Sequence, residues 1–385
     1  MNNFTFYNPT KIHFGAKQIS KISEEIPRDN RVLVVYGGGS IKTNGVYNQV
    51  VEALKDHSWF EFSGIEPNPH YETAMKSLQI IKDENIDYIL AVGGGSVIDA
   101  VKFIAAATKY QGDDPWNILS RQEKITDAMP FGCVLTLPAT GSESNSGSVM
   151  TRDGDKLFFG SPLTFPKFAV LDPSATLTLS DRQISNGVID AFVHTVEQYL
   201  TYPVNAKIQD RFAEGILHTL IEEGPKALDP EHKNNIDVRA NIMWSATMAL
   251  NGLIGAGVPQ DWTTHMIGHE LTALHGIDHA RTLSIIYPAV LKVCRKAKRE
   301  KLIQYGKRVW NLTEANEDLI IDQAIAKTVE FFQSMAVPTR LSDANLDESH
   351  IDEILAKLEK HRLVKLGEHM DVTLDVSREI LKTAL

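Results

Sequence analysis

The sequence has little cysteine, no long apolar run and no repeated or low-complexity segment. Its 385 residues include only two cysteines, Cys133 and Cys294, which form no CxxC motif. A disulfide framework is therefore excluded, and a reducing compartment is expected. The apolar runs VLVVY and YILAV have the length of strands, far short of a membrane span. The first fifteen residues lack the basic start and apolar stretch of a signal peptide, so we expect a cytoplasmic protein with no membrane partner.

Basic residues are also fewer than acidic residues. The chain has 39 Lys and Arg residues against 49 Asp and Glu residues, a formal net charge of −10. This balance argues against nucleic acid or an anionic membrane as a partner, although a local basic pocket for a phosphate stays possible. The length exceeds what one hydrophobic core usually serves, so two domains are expected.

The first half of the chain has the pattern of an α/β domain with a parallel sheet. Short apolar runs stopped by glycine or proline alternate with helical spacing, which is typical of strands buried on both faces of a sheet. We therefore predict a Rossmann-like domain over residues 1–178. The predicted strands are 31–36, 87–95, 132–140 and 168–173, and the predicted helices are 71–85 and 96–110.

The second half has a different pattern. Ser180 and Gln183 match a capping box, which predicts a helix that continues to Leu200. Long helical patterns follow at 208–224, 238–257 and 315–335, and convincing strand patterns are absent. We predict an all-α domain over residues 179–385.

Two loops of the first half share one design: a strand, then Gly-Gly-Gly-Ser, then a helix. Glycines let a phosphate approach the backbone, and the following helix offers free N–H groups. Ligands of such sheets bind at the carboxyl ends of the strands, where both loops lie. Neither loop is a GxGxxG fingerprint, and a glycine turn alone can be only a turn, but two in one domain favour a dinucleotide. The residues are Gly37, Gly38, Gly39 and Ser40 in one loop and Gly93, Gly94, Gly95 and Ser96 in the other.

The first loop also indicates which dinucleotide binds. Sites that select NAD usually place a carboxylate on the ribose 2′-hydroxyl. The segment YGGGSIKTNG contains no acid, while glycine N–H groups and Ser40 could bind a 2′-phosphate. The sequence therefore predicts NADP(H) over NAD(H). A third loop, TLPATGSESN at 136–145, either lines the cofactor or is a polar turn, and spacing does not separate these alternatives.

Histidines are concentrated in the second half. His265 and His269 are four residues apart, as are Asp190 and His194, so each pair shares one helix face. Two facing helices can hold a metal with such pairs. His279 joins them only if the chain turns, because fourteen residues of unbroken helix span about 21 Å; Gly276 is a plausible helix end.

The predicted ligand set is Asp190, His194, His265 and His279. One carboxylate and three imidazoles suit Zn²⁺ or Fe²⁺ better than Mg²⁺ or Ca²⁺. His269 would border the site as a proton-relay or substrate-side residue, and His275 has no assigned role. Spacing alone does not distinguish this set from incidental pairs of residues.

Longer motifs resemble a known family. GGGSVIDAVK, LPATGSESN, DAFVHTVEQY and HMIGHELTALHGIDHA are similar to the iron-containing (group III) alcohol dehydrogenases, and the resemblance runs essentially end to end. It is closest to the bacterial NADPH-dependent aldehyde reductases, or butanol dehydrogenases, of that family. The resemblance implies a dehydroquinate synthase-like architecture, with an active site in a cleft between an α/β domain and a helical domain. A homodimer or a larger assembly is also implied.

The resemblance also implies roles for individual residues. The family's metal ligands fall on Asp190, His194, His265 and His279, and the metal is iron or zinc. Its pyrophosphate loop falls on Gly93 to Ser96 and its 2′-phosphate region on Gly37 to Ser40. Many NAD-using members carry an acid where Gly39 stands, and Ala139 and Ser142 replace threonines of the usual motif. Further cofactor-lining positions fall on Asp99, Thr136, Thr140, Ser142 and Lys156.

The expected activity is NADPH-dependent reduction of aldehydes to primary alcohols, with a bound divalent metal that polarises the carbonyl group. Three alternatives remain at this point. A dehydroquinate synthase-like lyase would need basic residues around 250–280, where there are few. A metallohydrolase would use the glycine loops for phosphate and would not oxidise NADPH. A non-enzymatic cofactor-binding protein would not need the histidine cluster.

Overall fold

The computed structural model describes all 385 residues, which divide into two compact units. The α/β unit comprises Tyr7–Leu179 and Asn234–Met243, and the helical unit comprises Met1–Phe6, Ser180–Lys233 and Trp244–Leu385. The domain boundary between residues 178 and 179 stays a prediction. None of the helices combines the length and apolar character that a bilayer span requires.

A six-stranded parallel sheet forms the centre of the α/β unit, and a separate antiparallel hairpin accompanies it. The strands of this unit are β1 (Lys11–Phe14), β2 (Arg31–Tyr36), β3 (Ser58–Phe62), β4 (Tyr88–Gly94), β5 (Phe131–Leu137), the hairpin strands β6 (Gly147–Arg152) and β7 (Asp155–Gly160), and β8 (Phe168–Leu171). The order across the sheet is β1-β8-β5-β4-β2-β3. Its helices are α1 (Ile22–Glu25), α2 (Val46–Ala53), α3 (Tyr71–Asp83), α4 (Gly95–Ala107) and α5 (Asn117–Ser120).

Both faces of the sheet are buried, which explains the continuous apolar strands. Along β2, Val32 and Val34 belong to one core cluster and Leu33 and Val35 to another. Successive side chains of a strand point to opposite faces, so the two clusters cover opposite sides. The sequence prediction of a doubly covered parallel sheet is confirmed.

The helical unit contains most of the long helices. The elements are α6 (Asp181–Tyr199), α7 (Lys207–Leu228), α8 (Ile236–Ala249, whose first residues belong to the α/β unit), α9 (Thr263–His275), α10 (His279–Val293), α11 (Arg299–Arg308), α12 (Glu317–Ser334), α13 (Ile351–Lys360) and α14 (Leu374–Thr383). Two-residue strands, β9 (Lys365–Leu366) and β10 (Val372–Thr373), form a short antiparallel pair.

Several expectations about individual elements were wrong. The helix predicted over 238–257 ends at Ala249, because glycines with φ of 90° and 73° at Gly252 and Gly257 turn the chain there. The strands β1 and β3 and the β6–β7 hairpin were not predicted. The pair β9–β10 also places a small strand element in the half where none was expected.

Candidate metal centre and cofactor loops

Helix α6 begins at the predicted capping box. Ser180 accepts a hydrogen bond from the backbone N–H of Gln183, and the Gln183 side chain accepts one from the Ser180 N–H. These bonds satisfy N–H groups that the first turn leaves without helical partners. The fixed start places Asp190 and His194 one turn apart within the buried part of the helix.

Helices α9 and α10 are joined by a short turn. Gly276 has φ of 66° and ends α9 in the left-handed conformation, as predicted. His279 is the first residue of α10. The connection between the helices is only three residues long, and it reverses the chain enough to bring His279 back beside the residues of α9.

Three imidazoles surround one carboxylate oxygen. The Nε2 atoms of His194, His265 and His279 lie 3.6, 3.8 and 3.6 Å from Oδ1 of Asp190. The ligand atoms of Asp190, His265 and His279 all lie within 4.8 Å of one another. His194 is outside that group of three, although its ring stacks on His265 with centroids 4.6 Å apart.

This arrangement fits a divalent transition metal. Two ligands at about 2.1 Å from one ion in a tetrahedron are roughly 3.4 Å apart, close to the distances above. Nε2 of His265 is buried and has no hydrogen-bond partner, and a buried polar atom in that condition is costly unless something binds it. One carboxylate with imidazoles is a donor set for Zn²⁺ or Fe²⁺.

Glu197 lies beside the cluster and was not singled out from the sequence. It is on α6, seven residues after Asp190, and its side chain contacts Nδ1 of His265. Although burial favours the neutral form, the carboxylates of Glu197 and Asp190 raise the pKa of His265 to about 9. Burial lowers the pKa of His194 to about 4 and raises the pKa of Glu197 above its ordinary value. The only sequence signal for Glu197 was its i+7 position on the ligand-bearing face.

Two further side chains surround the histidines. His269 is buried, and its ring centroid is 5.2 Å from that of His279. The ring of Trp262 meets those of His265 and His194 edge to face, at 5.3 and 6.2 Å. The predicted neighbour His269 is therefore beside the cluster, while His275 lies at the end of α9 near Glu353.

The start of α10 is tied to α6. Asp278, directly before His279, accepts hydrogen bonds from Nε of Arg182 at 2.7 Å and Nδ2 of Asn186 at 2.8 Å. Arg182 and Asn186 stand two turns and one turn before Asp190, so they share its side of α6. One helix thus supplies two of the predicted ligands and anchors the residue next to a third.

In the α/β unit, three loops lie side by side. β2, β4 and β5 are adjacent and parallel, so the loops after them leave from the same edge of the sheet. These loops begin near Gly37, Gly93 and Thr136. The structure therefore brings together the three segments in which cofactor contacts were predicted.

Close packing explains why glycine is required at residues 93 and 95. A Cβ on Gly95 would stand 2.4 Å from Oγ1 of Thr140, and a Cβ on Gly93 would stand 2.5 Å from a Val97 methyl group. Gly95 opens α4, and Ser96 follows within its first turn, where N–H groups are free of helical partners. At Gly38 and Gly39 a Cβ would meet nothing within 4 Å, so the space beside that loop is open; Gly39 has φ of 98°.

Asp99 and Lys102 of α4 hold the third loop. Both Asp99 oxygens are engaged, by the Ser142 hydroxyl at 2.6 Å and the Val149 N–H at 3.0 Å. Nζ of buried Lys102 donates to Oδ1 of Asn145 at 2.9 Å and to the Gly147 carbonyl at 2.7 Å. Burial raises the pKa of Asp99 and lowers that of Lys102 to about 8. Asp99 thus supports the loop, and Lys102 is a support that sequence analysis missed, although a lysine inside the apolar run DAVKFIAAA was a visible signal.

The remaining predicted residues occupy the same region. Thr140 Oγ1 accepts the Ser142 N–H at 3.2 Å, and Thr136 is a nearly buried residue of β5. Nearly buried Lys156 on β7 donates to Asn68 at 2.9 Å. Direct contact of these side chains with a cofactor stays a prediction.

The chain is also similar to known proteins over its whole length. Residues 9–173 match the family described as iron-containing alcohol dehydrogenase, and residues 184–385 match the C-terminal region of the Fe-containing alcohol dehydrogenase family. The chain is 60% identical to the NADPH-dependent aldehyde reductase YqhD of Escherichia coli, with 100% of both chains covered. It is 42% identical to a probable NADH-dependent butanol dehydrogenase of Bacillus subtilis, with 93% of each covered. The crystal structure of E. coli YqhD superposes with a TM-score of 0.98 at 58% identity, covering 100% of this chain and 99% of that one.

Proposed function

Because the chain belongs to the iron-containing alcohol dehydrogenase family, we propose that it reduces aldehydes to primary alcohols with NADPH, reversibly. The observation that carries the proposal is the convergence of three histidines on one oxygen of Asp190. The relative of 60% identity is named an NADPH-dependent aldehyde reductase, which supports the reaction class. The substrate is a small aldehyde or alcohol.

The proposed metal ligands are Asp190, His194, His265 and His279. When bound, a divalent cation supplies Lewis-acid polarisation of a carbonyl oxygen, and NADPH supplies the hydride. Fe²⁺ and Zn²⁺ both suit the donor set, and we propose one of these two.

The chain's own residues prepare the site in three ways. Asp190, His194 and His265 are buried and His279 is only partly exposed, so few water molecules compete for the ligand atoms. The ring of Trp262 covers His194 and His265 on one side. His269, beside His279, is positioned to hold a proton for transfer to the product oxygen, which is the role we propose for it.

NADP(H) is the proposed cofactor, held by the loops after β2, β4 and β5. The loop Gly37–Ser40 contains no acid that would repel a 2′-phosphate. The space beside Gly39 is open, and the N-terminus of α4 offers N–H groups for the pyrophosphate. Several relatives of 38–42% identity carry NADH in their names, so the preference needs a direct measurement. A cytoplasmic location and a homodimer are further proposals.

The test is an NADPH-oxidation screen over short and medium aldehydes, with metal analysis of the same preparation. Asp190→Ala should abolish turnover and leave NADPH binding largely intact, because its side chain belongs to the helical unit and the predicted cofactor loops belong to the α/β unit. Asp181→Ala is the matched control, since Asp181 is an exposed acid on the same helix. Full activity in Asp190→Ala, or no NADPH oxidation with any aldehyde in the wild type, would refute the proposal.

A further inference from the structure

Glu197, a buried acid outside the ligand set, makes three side-chain contacts with the first turn of α9. Its side chain is buried on α6, on the face that also carries Asp190 and His194. Oε1 accepts the backbone N–H of Thr264 at 2.8 Å and that of His265 at 3.4 Å. Oε2 contacts Nδ1 of His265. One carboxylate therefore contacts both the backbone and the imidazole of a single histidine.

The contact with the imidazole decides which nitrogen carries the proton. A carboxylate is an acceptor only, so the nitrogen that faces it must be the one that bears hydrogen. With the proton of neutral His265 on Nδ1, Nε2 keeps its lone pair. Nε2 is the atom that lies 3.8 Å from Oδ1 of Asp190, inside the cluster. A metal binds neutral imidazole through such a lone pair.

The contacts with the backbone fix the helix that carries the ring. Thr264 and His265 are the second and third residues of α9, whose first N–H groups have no partner within the helix. Glu197 supplies that partner, and its negative charge is favourable at a helix N-terminus. The backbone carbonyl of Glu197 also accepts the N–H of Asp261 at 2.8 Å, just before α9 begins.

We propose that Glu197 is a positioning residue for the metal centre: it selects the His265 tautomer with a free Nε2 and anchors the start of α9 against α6. This inference rests on the metal site of the proposed function and adds a residue that touches neither metal nor substrate.

Glu197→Gln tests the inference with almost no change of shape. The carbonyl of the introduced amide would still accept the Thr264 N–H, so its NH₂ group would face Nδ1 of His265. Nδ1 would then act as acceptor, and the proton would move to Nε2, where it blocks coordination. We expect the affinity for Zn²⁺ to fall by about 10- to 100-fold, measured by competition with a chromogenic chelator on the metal-free full chain. The d–d absorption of the Co²⁺-loaded protein should change as well.

Glu270→Gln is the matched control. Glu270 is also buried, lies on α9 and contacts Nδ1 of a histidine, His361, at 2.7 Å, but that histidine is outside the metal cluster. Its Zn²⁺ affinity should stay close to that of the wild type. An equal loss in Glu197→Gln and Glu270→Gln would overturn the inference, because removal of any buried carboxylate would then explain it.

Glu197→Asp keeps an acceptor-only carboxylate on a shorter side chain, and it keeps the test available if Glu197→Gln does not fold. A smaller but measurable loss of Zn²⁺ affinity is expected, with thermal unfolding of the metal-free protein as the check on folding. Wild-type affinity in either variant would overturn the inference. If the wild type binds Zn²⁺ and Glu197→Gln binds it weakly, the inference holds even where no aldehyde is reduced, and only the proposed reaction fails.

Discussion

Gly268 of α9 lies so close to Thr282 of α10 that an added Cβ would stand 2.7 Å from the threonine Oγ1. The same hydroxyl donates to the carbonyl of His279 at 2.7 Å. The close approach of α9 and α10 therefore also determines how near His279 comes to His265. The ring centroids of these two histidines are 5.1 Å apart. A small residue at 268 is needed for both helix packing and ligand placement.

Gly268→Ala should accordingly weaken both stability and metal binding. Overpacking of this kind costs about 1–3 kcal/mol of unfolding free energy, and the displaced α10 should lower the Zn²⁺ affinity. Urea unfolding and Zn²⁺ titration measure the two effects. Gly215→Ala on α7 is the control, because a Cβ there meets nothing within 4 Å and alanine is the better helix former. A variant at 268 as stable as the wild type would contradict the packing argument.

Gly39→Asp should shift cofactor preference from NADPH toward NADH. The space beside Gly39 is open, so a carboxylate fits there and would repel a 2′-phosphate. We expect the ratio of kcat/KM for NADPH to that for NADH to fall by at least about tenfold, or ~1.4 kcal/mol.

Gly39→Asn is the control for backbone effects at residue 39. Its φ is 98° in the structure, and any side chain there is strained, with asparagine among the more tolerant. Asparagine has the shape of aspartate without its charge. If Asn and Asp change the cofactor ratio equally, strain and not charge is responsible.

His269→Ala should slow turnover and leave the metal in place. The imidazole is beside His279 but outside the predicted ligand set, and loss of a proton-transfer group costs about 10²-fold or more in rate. Steady-state kcat and metal content, both measured on one preparation, test this prediction. His275→Ala, at the end of the same helix, should retain normal kcat. A collapse of metal content in His269→Ala would mean that the ligands are wrongly assigned.

A buried cluster in the helical unit predicts a dependence of stability on pH. Nζ of Lys298 lies 2.9 Å from Oδ2 of Asp261 and 2.7 Å from Oε1 of Glu368, and all three side chains are almost fully buried. Against the cost of burial, Lys298 lowers the pKa of Asp261. Because the pKa of Asp261 is lower in the folded protein than in the unfolded chain, ionised Asp261 stabilises the fold at pH values above the ordinary aspartate pKa, near 4. This stabilisation is lost as the pH falls through the pKa that Asp261 has in the folded protein.

Lys298→Met removes the cation and leaves two carboxylates buried without it. The loss of unfolding free energy should be about 3–5 kcal/mol at neutral pH. Because the cause of the lowered Asp261 pKa is gone, the acid loss of stability that Asp261 contributes in the wild type should disappear, and the difference in unfolding free energy between wild type and variant should shrink as the pH falls and the buried carboxylates become protonated. Urea unfolding at a series of pH values measures both effects, and equal curves would contradict this account.

The strands predicted from the sequence are those that are almost completely buried. β2, β4, β5 and β8 are mainly apolar because both sides of each are covered. β1 and β3 are edge strands and are only partly buried, so their sequences, KIHF and SWFEF, show no such run. The β6–β7 hairpin had a usable signal: Asp153 and Gly154 form its two-residue turn, both with positive φ.

Only part of the candidate metal centre could be predicted from the sequence, for similar reasons. Asp190, His194, His265 and His269 stand at helical spacing, and Gly276 indicated the turn that returns His279. Glu197 could not be separated from other helical acids by spacing, because its importance depends on α9, which is distant in the chain. Lys102 and Lys298 likewise acquire their roles only from the partners that folding places around them.

The helical unit takes in residues 1–6 as well as most of the chain after residue 180, and the α/β unit takes in residues 234–243. Neither unit is therefore a continuous stretch of the gene product. A single cut near residue 179 would strip each fragment of a segment that the other fragment carries. Anyone seeking to produce the two halves separately, or to exchange one half between relatives, would have to graft those short segments along with it.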